Sequence, residues 1–258
     1  MRSRFLPDIV QLTPTSYATY RQCAREFWNQ HVLAVPASDF SASGDSGLLA
    51  HAMLRFIHAS GNCQDRAHVR DVLAAHGSDE PYMRGVVERH ASRCPREADA
   101  DAHEVDRARF HRGPPMFMAT ARIDAIWLHD GLLDARDYKT GSKWHDRLID
   151  DPRARVQAWI LQRDAIRRGL RLRLRYEYLS PEVDDDPEPW EPDRDDLDAV
   201  ERELRVAVAH MRTAENWTGV ADESLCRRCS FRSICRDSAA RGAPSWPVLI
   251  GSGEAEDR

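Results

Sequence analysis

The chain is predicted to fold as a mixed α/β protein, with a mixed central sheet flanked by helices, and three observations predict it. First, Met118 to Lys143 reads as two strands joined by a tight turn. One strand covers about 118–128 and carries Ile123, Ile126 and Trp127. His129-Asp130-Gly131 turns the chain, with Gly131 able to take a positive φ, and the second strand runs from Leu132 to about Lys139. Second, an apolar-periodic segment at about 152–168 and the alternating run LRLRYEYLS at about 171–179 follow the hairpin. Strand, helix and strand in that order suggest a βαβ unit. Third, 42% hydrophobic and 31% charged residues over 258 positions suit a soluble globular chain.

Taken in order, residues 1–12 show no periodicity. Thr13-Pro14 reads as a helix N-cap with proline in the first turn, and the helix is expected to reach about Gln30 with Cys23 in its middle. Residues 36–46 read as a loop, followed by the helix GLLAHAMLRFIHAS, in which Gly47 precedes His51 by four residues. Within 62–100, two helices at about 64–76 and 80–93 form a helical insertion expected to shape a substrate channel. Its Cys63 and Cys94 are read as free thiols with no close partner. HEVDRARF, from His103 to Phe110, is a strand leading to a turn at Gly113-Pro114-Pro115, and Glu104 in it is read as a solvated charge. The helix at 152–168 stops at Gly169. Residues 180–197 are acidic and proline-rich and read as an exposed loop; a helix at about 196–214 follows, and 237–258 reads as a flexible tail. Residues 1–236 are expected to form one domain.

The hairpin carries the chemistry. Alternation along a strand puts Asp137 and Lys139 on one face, and Asp124 on the partner strand can reach the same place, so two carboxylates and an ammonium group converge at a sheet edge. Two carboxylates hold a hard cation such as Mg²⁺ or Mn²⁺, and a neighbouring lysine can orient water or stabilise charge on a phosphate. The same spacing also fits a surface hairpin with a cross-strand ion pair. Of 37 basic residues only Lys139 and Lys143 are lysines. A lysine at 139, in a chain that elsewhere uses arginine, points to a compact ammonium that guanidinium cannot replace.

Cys226-x2-Cys229-x5-Cys235 gathers three thiols on a short turn, for which Cys23 is the evident fourth ligand. Four thiolates suit an iron–sulfur cluster or Zn²⁺. Between Arg153 and Arg175 lie eight arginines and one acid, Asp164; Arg163, Arg167 and Arg168 are the candidate phosphate-tracking surface.

Asp124 in ARIDAIW, with Asp137-Tyr138-Lys139-Thr140-Gly141, resembles the core of the PD-(D/E)xK nuclease superfamily, most closely its RecB-like branch with an iron–sulfur cluster. That branch includes the CRISPR-associated exonucleases and AddB-type nuclease domains. The resemblance spans about 13–236 and implies a restriction-endonuclease-like core. It implies a metal held by His51, Asp124, Asp137 and a backbone carbonyl at Tyr138, with Lys139 assisting hydrolysis and Gln157 contacting substrate, and it sets Glu104 at an acidic position that several members carry in this strand, beside its reading as a solvated charge. It also implies a [4Fe–4S] cluster on Cys23, Cys226, Cys229 and Cys235 that staples the chain ends, with a structural Zn²⁺ as the alternative. The match departs from the family pattern at Ala24, where proline is usual, and at Leu161, where tyrosine usually follows the glutamine.

The expected activity is divalent-metal-dependent hydrolysis of DNA, single-stranded and exonuclease-like, in repair, recombination or defence, with a helicase or defence-complex subunit as partner. The alternative is a catalytically silent module binding nucleic acid or a partner. No apolar run approaches a membrane span and MRSRFLPDIV is too short in apolar residues for a secretory signal, so a cytoplasmic location and no membrane partner are expected. A net charge of −5 confines any nucleic-acid site to a local basic patch.

Overall fold

The computed structural model describes residues 9–36, 43–59, 63–75, 81–94, 101–141, 143, 145–213 and 217–240. The expected tail lies outside them beyond residue 240. The chain divides into two compact units, one of residues 1–18 and 45–214 and one of residues 19–44 and 215–258.

The larger unit is built on a five-stranded mixed sheet. Its strands are β1 (Val10–Leu12), β2 (Ala102–His111), β3 (Phe117–His129), β4 (Leu132–Lys139) and β5 (Arg171–Tyr178). β2 runs antiparallel along β3 from Ala102↔Ile126 to His111↔Phe117. The other edge of β3 is shared: β1 pairs parallel with Phe117–Ala119, and β4 pairs antiparallel with 125–129. Thr120–Asp124 are therefore left open on that edge. β4 pairs in parallel with β5 along its whole length. The β3–β4 turn places Asp130 at φ 49 and Gly131 at φ 73, the two positive values of a two-residue hairpin turn. The strand β1 falls where the sequence shows no period; three residues suffice because Val10 and Leu12 bury their side chains beside β3.

Helix α6 (Pro152–Arg168) crosses from β4 to β5, as the strand–helix–strand order predicts. The Asp151 carboxylate caps it by accepting from Arg153 N at 2.7 Å, Pro152 fills the first turn, and Gly169 closes it in the left-handed conformation. Buried Trp159 on α6 stacks on Phe117 of β3, with ring centroids 5.2 Å apart. Helix α7 (Arg194–Thr213) packs on α6 with Leu197, Val200, Leu204 and Val208 buried.

A second layer comes from α3 (Ser43–Ala59), α4 (Arg66–Ala75) and α5 (Pro81–Arg93). Met53, Leu54, Ile57, Val86 and Val87 share a core with Trp127, Tyr138 and Leu179 of the sheet region. Burying side chains of this size stabilises the layer by roughly 1.5–3 kcal/mol each. Cys63 and Cys94, read from sequence as thiols without a close partner, lie in this core and are hydrogen-bonded to each other. Nor is the acidic loop wholly exposed. Val183 and Trp190 are buried, Trp190 exchanges backbone hydrogen bonds with Leu174, and Asp186 accepts from Tyr178 N at 2.7 Å.

The helix predicted from Thr13 to Gln30 is broken. Helix α1 (Pro14–Gln22) starts on a reciprocal cap, with Ser16 N donating to Thr13 Oγ1 at 3.0 Å and Thr13 N to Ser16 Oγ at 2.8 Å. Cys23 then goes extended, at φ −155 and ψ 110, before α2 (Ala24–Phe27) and a π-helical turn, Trp28–Val32. The break leaves no backbone group stranded: Cys23 N–H donates to Thr19 O, and its carbonyl accepts from Phe27 N. In the smaller unit, buried Trp217 stacks on Phe27 and Trp28 at 5.7 and 4.9 Å. Helix α8 (Glu223–Arg228), capped by Asp222, carries Cys226 and leads to Cys229 and Cys235.

Candidate active site

The site forms where β3 lies open between β1 and β4. This is a gap inside the sheet and not its outer edge, as the hairpin alone suggests, because β5 covers the far side of β4. After Ala125↔Arg136 the β3–β4 ladder stops. Asp124 takes over the next donor through its side chain: Oδ2 accepts from Tyr138 N at 2.6 Å. Its other oxygen, Oδ1, lies 3.2 Å from His51 Nδ1 on α3. The close approach of α3 depends on Gly47, where a Cβ would lie 3.2 Å from Thr140 Oγ1. His51 follows one turn later, and that is the use of the Gly-x3-His spacing. His58, two turns beyond, faces His90 instead.

Asp137 and Lys139 share a face, as the alternation predicts, with Lys139 Nζ donating to Asp137 Oδ2 at 2.7 Å. Gln157 Nε2 on α6 donates to the same oxygen at 2.7 Å, and Gln157 Oε1 accepts from Tyr176 OH at 3.1 Å. Lys139 Nζ also sits 4.4 Å from the Tyr176 ring centroid. The aromatic neighbour of Gln157 is thus supplied by β5, while position 161 holds a buried leucine.

The electrostatics follow from burial and crowding. Burial, then the negative charge of Asp137, pushes the Asp124 carboxyl up to about 6, against the hydrogen bond from His51. The hydrogen bond to Asp124 raises His51 above its ordinary value in spite of burial. Burial would raise Asp137 too, but the Lys139 charge and hydrogen bonds from Lys139 and Gln157 hold it below the usual carboxylate range. Glu104, read from sequence as a solvated strand charge, belongs here: ligand atoms of His51, Glu104 and Asp124 lie within 4.8 Å of one another. Its backbone has φ 47, an uncommon value for a side-chain-bearing residue in a strand.

This donor set fits a divalent cation. A histidine nitrogen and carboxylate oxygens converge, and imidazole and carboxylate are donors that such a cation takes. When bound, such an ion acts as a Lewis acid on a phosphoryl oxygen and activates water. His51, Asp124 and Glu104 bring their ligand atoms together, and Asp137, beside Asp124 but outside that group of three, is the fourth residue available to hold it. Gln157 fixes the rotamer of Asp137, and Lys139 presents an ammonium beside it. Gln157→Leu is expected to weaken Mn²⁺ binding about 10–100-fold with the fold intact, as loss of a partner to a metal-binding group does; isothermal titration against wild type checks it.

Asp137, Lys139 and Gln157 line a groove with Thr13, Thr15, Thr120, Arg122 and Arg153. It shares Asp106, Arg107 and Ala108 with a recess lined by Arg163, Arg167 and Arg168. Asp164 is paired with Arg107 at 2.9 Å and with Arg167 at 2.5 Å. Arg153 opens the arginine-rich stretch noted in the sequence, whereas Arg107 and Arg122 escaped the sequence reading because they come from two other strands and only the fold brings them to this groove.

The four cysteines expected to act together line one small cavity of the smaller unit, with Glu26, Asn29 and Arg232. Burial raises the Cys229 thiol to about 12, and the charges of Glu26, Cys23 and Cys235 push the same way, while a hydrogen bond from Phe231 N lowers it. Among the described residues, the groups of three or more donor atoms lying within 4.8 Å of one another do not include these sulfurs. A zinc tetrahedron of thiolates has edges of only about 3.8 Å, from Zn–S of about 2.3 Å.

Comparison with known proteins supplies the family. A solved structure titled "Crystal structure of SSO0001" is 13% identical, covers 90% of this chain and 88% of its own, and aligns with a TM-score of 0.44. No curated protein matches significantly. A family model described as the PD-(D/E)XK nuclease superfamily matches residues 11–236. That span takes in the sheet from Gln11 of β1 onward, both acidic strands, Lys139 and the cysteine turn, and the chain belongs to the PD-(D/E)XK nuclease superfamily, a family of metal-dependent phosphodiester hydrolases.

Proposed function

We propose that the protein is a divalent-metal-dependent deoxyribonuclease of the RecB-like branch, acting on single-stranded DNA. The observation that carries this reading is the pairing of Asp124 with His51 and of Asp137 with Lys139, where Asp137 and Lys139 line a groove that shares Arg107 with a recess of clustered arginines. A phosphodiester backbone in that groove meets Arg153, Arg122 and Arg107 on its way to Arg163, Arg167 and Arg168. Lys139 is within reach of a scissile phosphate held beside Asp137 and stabilises the charge that develops on it. Repair, recombination or defence, alongside a helicase or defence-complex subunit, is the setting such an activity suits. Incubating purified protein with end-labelled linear and circular DNA and RNA, single- and double-stranded, in Mg²⁺ or Mn²⁺ tests the reading. Cleavage of linear single-stranded DNA from an end is expected. DNA binding without cleavage of any substrate would favour the catalytically silent module.

Neutralising Arg163, Arg167 and Arg168 together to glutamine is expected to flatten the salt dependence of single-stranded DNA binding. Three lost phosphate contacts at about 0.7 ions each lower the log–log slope by about 2. Fluorescence anisotropy across a salt series checks this, and an unchanged slope moves the surface elsewhere.

We extend the proposal to a [4Fe–4S] cluster on Cys23, Cys226, Cys229 and Cys235. Its support is one cavity shared by four thiols and a backbone N–H from Phe231 aimed at Cys229 Sγ at 3.4 Å. The ligands come from two distant stretches of chain, so the cluster stabilises both together. Protein purified without air is expected to be brown, with iron and labile sulfide. Cys23→Ala is expected to lose the colour and the protection of residues 19–36 and 217–240 against hydrogen exchange. A colourless protein with one zinc at these cysteines would replace the cluster by zinc.

A further inference from the structure

A second group of metal-ligating side chains lies in the helical layer, away from the catalytic carboxylates. His58 sits near the end of α3, Cys63 in the turn before α4, His90 in the last turn of α5 and Cys94 just after it. In sequence they form His-x4-Cys and His-x3-Cys pairs, thirty-one positions apart at their cysteines. The fold brings the pairs together. His58 Nε2 lies 2.8 Å from His90 Nε2 and 3.4 Å from Cys94 Sγ, and the three ligand atoms fall within 4.8 Å of one another. Cys63, hydrogen-bonded to Cys94, is the neighbouring candidate for a fourth ligand, although its sulfur stands outside that group of three.

The setting is apolar. His90, Cys63 and Cys94 are buried, with His90 at 0% exposure, among Met53, Ile57, Val86 and Val87. Both imidazoles present Nε2, and at least one thiol points at the same centre. Groups that merely share hydrogen bonds in a core have no reason to converge on one point, and burying four polar side chains there is costly unless each is satisfied. For Zn–N near 2.0–2.1 Å and Zn–S near 2.3 Å, a tetrahedral ion needs N···N edges of about 3.3 Å and N···S edges of about 3.6 Å. The observed separations of 2.8 and 3.4 Å are slightly shorter, so small outward shifts admit the ion among these three ligands, and Cys63 must move in from beside Cys94 to close the tetrahedron.

We propose that His58, Cys63, His90 and Cys94 form a structural Zn²⁺ site that clamps α3 and α5 to the back of the catalytic strand. Two imidazoles and two thiolates in a closed tetrahedron select zinc, and four protein ligands leave no position for a substrate. Both thiols release their protons to solvent on binding. The clamp bears on catalysis by position. Tyr138, between Asp137 and Lys139, packs against His58 and His90 at ring-centroid distances of 5.8 and 4.9 Å, and His51 lies two turns from His58 on α3. Zinc here would fix the helix that carries His51.

The test uses the full chain purified with zinc supplied, then desalted, with zinc per chain measured by plasma mass spectrometry. Cys94→Ser and His58→Gln are each expected to lose one zinc per chain, while Cys229→Ser keeps it. Should those variants fail to fold, zinc K-edge absorption of the Cys229→Ser protein decides: nitrogen near 2.0 Å and sulfur near 2.3 Å in one shell are expected. Zinc content unchanged in Cys94→Ser, no bound zinc in Cys229→Ser, an all-sulfur shell, or a Cys63–Cys94 disulfide in freshly purified protein would each overturn the site.

Discussion

Asp137→Ala is expected to abolish divalent-dependent cleavage, with kcat/KM falling on the order of 10³-fold or more, while the protein stays folded. The carboxylate is the meeting point of the site: Lys139 and Gln157 both donate to its Oδ2 at 2.7 Å, and only 15% of its side chain is exposed. Alanine removes a cation ligand and frees Lys139 and Gln157 together. It relieves the repulsion that helps raise Asp124 but leaves the buried Gln157 amide without its acceptor, so a modest loss of stability is expected beside the loss of activity. Cleavage rates beside circular-dichroism melts distinguish these outcomes; a folded variant that cuts at the wild-type rate would end the catalytic reading.

Lys139→Arg is expected to be inactive as well, at roughly 10²–10³-fold below wild type, although charge is conserved. Lys139 fits between Asp137 Oδ2 and the Tyr176 ring as a compact ammonium. A planar guanidinium in that space would bind the Asp137 carboxylate through two N–H groups and draw it away from a cation, and it never deprotonates at working pH. Single-turnover rates at saturating Mn²⁺ measure the chemical step; an active Lys139→Arg protein would show that this position requires only positive charge.

How much of this could be read from the sequence depended on how local each feature is. The hairpin, its turn and the shared face of Asp137 and Lys139 follow from alternation over a few residues, and they stand as expected. Helix α6 was equally legible because its cap, its proline and Gly169 bracket a periodic stretch. The break at Cys23 was not, because no proline or glycine marks it. Strand β1 was hidden for a related reason: three residues carry no period, and β3 alone makes them a strand. Glu104 was undervalued because only the fold sets it beside His51 and Asp124. The pairs containing Cys63 and Cys94 looked unrelated because thirty residues separate the two cysteines, and only the packing of α3 against α5 closes that distance. Tyr176 likewise takes up the contact with Gln157 from a strand where no motif would look for it.

The central claim is that His51, Asp124 and Asp137 hold one catalytic cation at the opening between β1 and β4. Crystals soaked in Mn²⁺, with anomalous differences recorded just above the manganese edge and below that of iron, locate the ion directly. The expected result is a peak bounded by His51 Nδ1 and the carboxylates of Asp124 and Asp137, with Glu104 alongside. A peak only at other carboxylates, or none at Mn²⁺ concentrations that support cleavage, would contradict it.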